Sequence, residues 1–186
     1  IIQATDSILD TVIWTNYTGS SSVGGISYSP EITTNGGHIW MGGSSTNGGS
    51  DTWNGLTVGD GPSQGASGYN SNALDFNGNL DTDGSSVDGD IYIWSGDGYS
   101  AGVNGIGSYL AADLSSGTGD IIIIADEIIR VSGSLPWTIN TTGDFTYKPH
   151  TTSFENNNTL SSLFTFNSNP TDLQIGKSGN LTNVTL

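Results

Sequence analysis

Residues 120–129, DIIIIADEII, decide how this chain is read. Four isoleucines, Ile121 to Ile124, make a strand by β-branching alone. Ala125-Asp126-Glu127 then breaks the apolar run, and Ile128-Ile129 starts a second one. The break is too abrupt for a hairpin that returns the second strand alongside the first. A polar corner that sends the chain onto a new wall fits the spacing. Such a corner is the unit of a parallel β-helix, in which like strands stack about 4.8 Å apart from one coil to the next.

The residues before this stretch recur elsewhere. Gly119-Asp120-Ile121 has the same form as Gly37-His38-Ile39, Gly89-Asp90-Ile91, Gly143-Asp144-Phe145 and Gly179-Asn180-Leu181. In each, glycine supplies a crowded or left-handed backbone angle. The polar residue satisfies turn N–H groups through its side chain. The large apolar residue then enters a strand facing inward. The instances are unevenly spaced, which fits coils of roughly 20 residues or more with loops inserted at the corners.

Strand-like runs punctuated by Gly, Asn, Asp or Pro extend along the chain. They include Thr11–Trp14, His38–Met41, Leu56–Val58, Asp90–Trp94, Asp144–Tyr147, Leu173–Ile175 and Leu181–Leu186. The one helical-looking window, Tyr109–Leu114, is too short to stand alone. Sandwiches and up-and-down barrels favour two-residue turns such as Asn54-Gly55, Asn77-Gly78, Asp83-Gly84 and Asn104-Gly105. The repeated corner outweighs them. The expected fold is all-β: a right-handed parallel β-helix with long corner loops, residues 1–186 forming one segment.

Composition narrows the function. The chain has 186 residues, no cysteine, 28 glycines, 3 Lys plus Arg and a net charge of −15. That charge disfavours nucleic acid and anionic membrane surfaces, since both recruit cationic contacts. No apolar run is long enough to span a bilayer. Glycine, serine and asparagine lean toward disorder, but 33% of residues are hydrophobic and cluster in strand-sized runs, which argues for order. A first residue of Ile rather than Met is expected of a processed product or a piece of a longer chain.

The stretches ITTNGGHIWMGG (32–43), TWNGLTVGDGPS (52–63), DGDIYIWSGDG (88–98), GTGDIIIIADEI (117–128) and the closing LQIGKSGNLTNVTL resemble segments of giant repetitive bacterial surface proteins. These are the filamentous-haemagglutinin-like, β-strand-repeat adhesins. The resemblance covers most of the chain and is thinnest over 15–30 and 148–162. It implies an exported, extended β-helical segment of a cell-surface fibre, used in adhesion or in building a biofilm matrix. It implies no catalytic residues.

Several motifs could carry chemistry. Gly61-Pro62-Ser63-Gln64-Gly65 has the form of a nucleophile elbow, but the following ASGYNSN makes no helix. Gly96-Asp97-Gly98-Tyr99-Ser100-Ala101 has the form of a dinucleotide turn, and again no helix follows. The acidic run Asp81, Asp83, Asp88 and Asp90 alternates oxygen donors in a way that suits Ca²⁺. It departs from an EF-hand, with Ser85 in place of an acid and Ser86 in place of glycine. The competing reading is a solvated corner whose carboxylates cap turns, with no cofactor. Cations for lyase-type chemistry are limited to Arg130, Lys148 and Lys177, so no enzyme is expected.

Alternation sets Ile91 and Ile93 on one face and Tyr92 and Trp94 on the other. Trp40 follows the same rule between Ile39 and Met41. Three outward aromatics, Trp40, Tyr92 and Trp94, therefore either form a platform for surface glycans or a neighbouring fibre, or lie under the chain's own loops. Strand-like sequence at both ends, without a polar amphipathic cap, predicts that the ends meet further coils or copies stacked end to end. The expectation is a secreted or cell-surface structural and adhesive segment, with a carbohydrate-binding module as the alternative.

Overall fold

The computed structural model describes residues 1–13, 26–28, 31–42, 51–53, 56–58, 74–76, 78–94, 105–108, 112–130, 135–149 and 152–185. The chain passes repeatedly over the same walls in the same order. The first pass gives β1 (Ile2–Gln3), β2 (Thr11–Ile13) and β3 (Ile26–Tyr28). The second gives β4 (Ile32–Thr33), β5 (Ile39–Gly42), the pair β6 (Asp51–Trp53) and β7 (Leu56–Val58), and β8 (Leu74–Phe76). Next come β9 (Leu80–Asp81), β10 (Ile91–Trp94) and β11 (Gly105–Ser108), then β12 (Asp113–Gly117), β13 (Ile121–Ile124) and β14 (Glu127–Arg130). The last passes give β15 (Trp137–Thr141), β16 (Phe145–Lys148), β17 (Asn158–Thr159), the helical turn α1 (Leu160–Leu163), β18 (Phe164–Phe166), β19 (Leu173–Ile175) and β20 (Val184–Thr185).

Like stacks on like. The first sheet runs β1-β4-β9-β12-β15-β18, the second β2-β5-β10-β13-β16-β19, and the third β3-β8-β11-β14. All neighbours in these sheets pair in parallel. β17 pairs in parallel with β20. This is a β-solenoid. The antiparallel pair β6–β7, with Trp53 opposite Leu56, brackets Asn54-Gly55 and is the one hairpin among the described residues. Asp83-Gly84, by contrast, lies on the connection from β9 to β10, between two different sheets.

Period-2 alternation and parallel register together make columns. On the first sheet Ile32, Leu80, Leu114 and Ile139 align, all fully buried. On the second, Ile39, Ile91, Ile121 and Phe145 form one column and Met41, Ile93, Ile123 and Tyr147 another. All eight are fully buried in the main core cluster. Aromatics thicken the core toward the last passes, where Phe145 packs edge-on against Phe164 and Phe166 at 5.2 and 5.1 Å.

DIIIIADEII behaves as its spacing predicts. Ile121–Ile124 lies in the second sheet and Glu127–Arg130 in the third, with buried Ala125 and Asp126 at the corner. Leu114, at the end of the window too short for a helix, is a core strand residue, and the helical turn is at Leu160–Leu163. Two expectations need correction. The strand expected over 181–186 is confined to Val184–Thr185. Gly179-Asn180-Leu181 does not continue the corner series. Leu173 stacks on Phe145, so Asp172 holds the position assigned to Asn180.

Candidate functional site

The corner between the first and second sheets is built from the recurring Gly-polar-apolar motif. Asp10 and the motif residues His38, Asp90 and Asp120 each accept a hydrogen bond from the main-chain N–H of the counterpart on the next pass. Asp10 Oδ1 accepts from His38 N (2.8 Å) across 28 residues. His38 Nδ1 accepts from Asp90 N (2.9 Å) across 52. Asp90 Oδ1 accepts from Asp120 N (2.8 Å) across 30, and Asp120 Oδ1 from Asp144 N (2.9 Å) across 24. The uneven spacing leaves the ladder intact because only the corner geometry must repeat. His38 fits because a neutral imidazole presents an acceptor nitrogen, here Nδ1. The same nitrogen lies 3.6 Å from Asp90 Oδ2.

A second ladder lies inside the same corner. Thr34, Thr82, Ser116 and Thr141 are at most 1% exposed. Their hydroxyls donate to the carbonyls of Gly37 (2.5 Å), Gly89 (2.6 Å), Gly119 (2.8 Å) and Gly119 (2.6 Å) respectively. A buried carbonyl without a partner costs about 1–3 kcal/mol, so each hydroxyl serves the fold directly. The sequence signal is an inward apolar residue followed two positions later by a hydroxyl: Ile32-Thr33-Thr34, Leu80-Asp81-Thr82, Leu114-Ser115-Ser116 and Ile139-Asn140-Thr141. Sequence reasoning missed it because threonine and serine are so common in this chain.

The passes approach closely at this corner. A Cβ on Gly89 would meet the Gly37 carbonyl, and a Cβ on Gly37 would meet that of Leu9. Asn35 and Gly36 turn the chain with positive φ of 52° and 93°.

The four acids of the calcium expectation are each engaged within this corner. Asp81 Oδ1 accepts from Asp83 N (3.0 Å), and Asp83 Oδ2 accepts from the Ser115 hydroxyl (2.8 Å). Asp88 Oδ1 accepts from Gly84 N (2.9 Å), while its Oδ2 takes Thr118 N (2.9 Å) and Thr118 Oγ1 (2.8 Å). Asp90 belongs to the ladder. Among the described residues no three His, Cys, Asp or Glu side chains gather as a metal site requires. The hydrogen bonds from Gly84 and Thr118 hold the Asp88 carboxyl below its ordinary range. Burial, opposed by the Asp83 N–H, raises that of Asp81.

The three aromatics lie on the opposite face of the second sheet from the core, as alternation predicts, and they form a cluster of their own. Trp40 and Tyr92 are register partners, and their rings stack at 4.0 Å with 7° between planes. Trp94 meets both edge-on, at 6.4 and 6.2 Å. Ile124, Ile122 and Val12 pack with them. Trp40 and Trp94 are only 3% and 5% exposed, and Tyr92 is half-buried. Alternation determined the face, and on that face both indoles are buried.

Two buried hydroxyls, those of Thr11 and Tyr147, have no hydrogen-bond partner among the described residues. The Tyr147 ring packs on Phe154 at 4.6 Å. Burial first, then the Glu127 and Asp126 carboxylates, push its phenol well above the ordinary range. Lys148 is half-buried on the side of β16 away from the core, in register with Ile124. The segments 61–65 and 96–101, and the Arg130 side chain, lie outside the described residues. Compared with known protein families, curated proteins and solved structures, the chain matches no family model, no curated protein and no solved structure.

Proposed function

We propose that this chain is an extracellular structural and adhesive segment of a bacterial surface fibre. Its work is mechanical, and its partners are further coils or copies placed end to end. The observation that carries this reading is how the polar side chains are used. Asp10, His38, Asp90 and Asp120 join pass to pass, and Thr34, Thr82, Ser116 and Thr141 close each corner. A solenoid so fastened makes a stiff rod whose stability sums over neighbouring coils. A charge of −15 keeps such a rod soluble at a surface. Sequence likeness to repetitive surface adhesins supports the location. Immunogold labelling of intact, unpermeabilised producing cells tests the proposal. Gold along projecting fibres is expected; labelling only after permeabilisation would overturn it.

A further inference from the structure

The solenoid has two open faces, one edged by β1 and β2 and the other by β18 and β19. Both keep the apolar columns of the interior. By register, Ile2 and Phe166 stand at opposite ends of the column that runs through Ile32, Leu80, Leu114 and Ile139. Ile13 and Ile175 end the column through Met41, Ile93, Ile123 and Tyr147. Ile2 is 39% and Leu173 49% exposed. An apolar groove of about 330 Å³ lies on the β18–β19 face, lined by Leu160, Phe164, Phe166 and Leu173.

The two faces also offer one hydrogen-bonding group each that could pair with the other. Every ladder bond runs from a main-chain N–H to a side chain on the preceding pass. At the first face, the Asp10 N–H makes no hydrogen bond among the described residues, while its carboxylate is already taken by His38. At the last face, the Asp172 carbonyl accepts from Phe145 N, while its carboxylate makes none among the described residues. At equivalent corner positions, one face thus offers a main-chain N–H and the other a carboxylate, although the ladder itself ends at the Asp144 N–H.

Resting on the fibre reading above, we propose that a second copy of this chain stacks head to tail on the first, in the interior register. Ile2 of one copy lies over Phe166 of the other, Thr11 over Leu173 and Ile13 over Ile175. Asp10 N–H donates to the Asp172 carboxylate. The contact is heterologous, so it propagates into filaments rather than closing into a dimer. Salt strengthens it by screening the repulsion between two strongly acidic bodies.

Analytical ultracentrifugation and electron microscopy of the purified chain test this. Rods that lengthen with protein concentration and with salt are expected. Two edge-strand substitutions each block one face. Val12→Pro removes an N–H on the open side of β2, where an edge strand tolerates proline. Leu173→Lys places a charge on β19. Circular dichroism and thermal melts confirm that each variant folds. Each alone is expected to stay monomeric, whereas their mixture forms a one-to-one pair that grows no further. Leu135→Lys, at a 66% exposed residue before β15, is expected to leave filaments unchanged. A native chain that remains monomeric at all concentrations and salts would overturn the stacking, as would filaments indifferent to both blocking changes. A monomer that still labels surface fibres would leave the fibre reading in place, with flanking coils as the occupant.

Discussion

At the scale of single residues, most polar side chains of the corner have an assigned partner, whereas the buried hydroxyls of Thr11 and Tyr147 have none among the described residues. A buried hydroxyl without a partner carries a desolvation cost that a phenyl ring of the same shape avoids. Tyr147→Phe is therefore expected to hold or raise stability by about 1 kcal/mol, measured by urea denaturation. Asp88 shows the opposite economy. Three hydrogen bonds lower its folded pKa, so its contribution is complete above the unfolded value, about 3.9 for an aspartate. The contribution is lost as pH falls through the lower folded value. Asp88→Asn is expected to lower the urea midpoint at neutral pH. The gap to the native chain should close as pH drops below about 4. A gap that widens on acidification would contradict the assignment.

At the scale of elements, the second sheet was legible, and the first only at Trp137–Ile139 and Leu163–Phe166, not at β4, β9 and β12. His38–Met41, Asp90–Trp94, Asp120–Ala125 and Asp144–Tyr147 announce themselves by β-branched or aromatic runs after a Gly-polar pair. β4 and β9 are two residues long, and β12 carries polar Asp113 and Ser115 on its outward side. No apolar run betrays them. Asn180 misled because it follows glycine, whereas Asp172, the true corner residue, follows Thr171. The acids of the calcium expectation were visible as residues, but only coordinates reveal that each reaches an N–H or hydroxyl of a turn or neighbouring pass. The aromatics' face followed from alternation; their burial depends on what lies over them, which a period of two does not encode. The glycine of the corner is the element most exposed to mutation. Gly89→Ala drives a methyl into the Gly37 carbonyl, where main chain rather than a flexible side chain must yield. A loss of about 1–3 kcal/mol is expected, read as a lower thermal midpoint. An unchanged midpoint would mean the passes are not so close.

At the scale of the whole molecule, successive passes of the solenoid are fastened to one another by polar side chains. Apolar columns supply the core, the ladder through Asp10, His38, Asp90 and Asp120 sets the register between passes of very unequal length, and the buried hydroxyls close the corners. Insertions between His38 and Asp90 are tolerated because the corner is rebuilt on the other side of them. The most direct test is residue-resolved amide hydrogen exchange in the native chain, Asp120→Ala and Asp120→Asn. The account predicts a protected Asp144 amide in the native chain. That protection should be lost in Asp120→Ala and largely kept in Asp120→Asn, although the two residues are 24 apart in sequence. An Asp144 amide that exchanges freely in the native chain, or that ignores the loss of the Asp120 carboxylate, would contradict it.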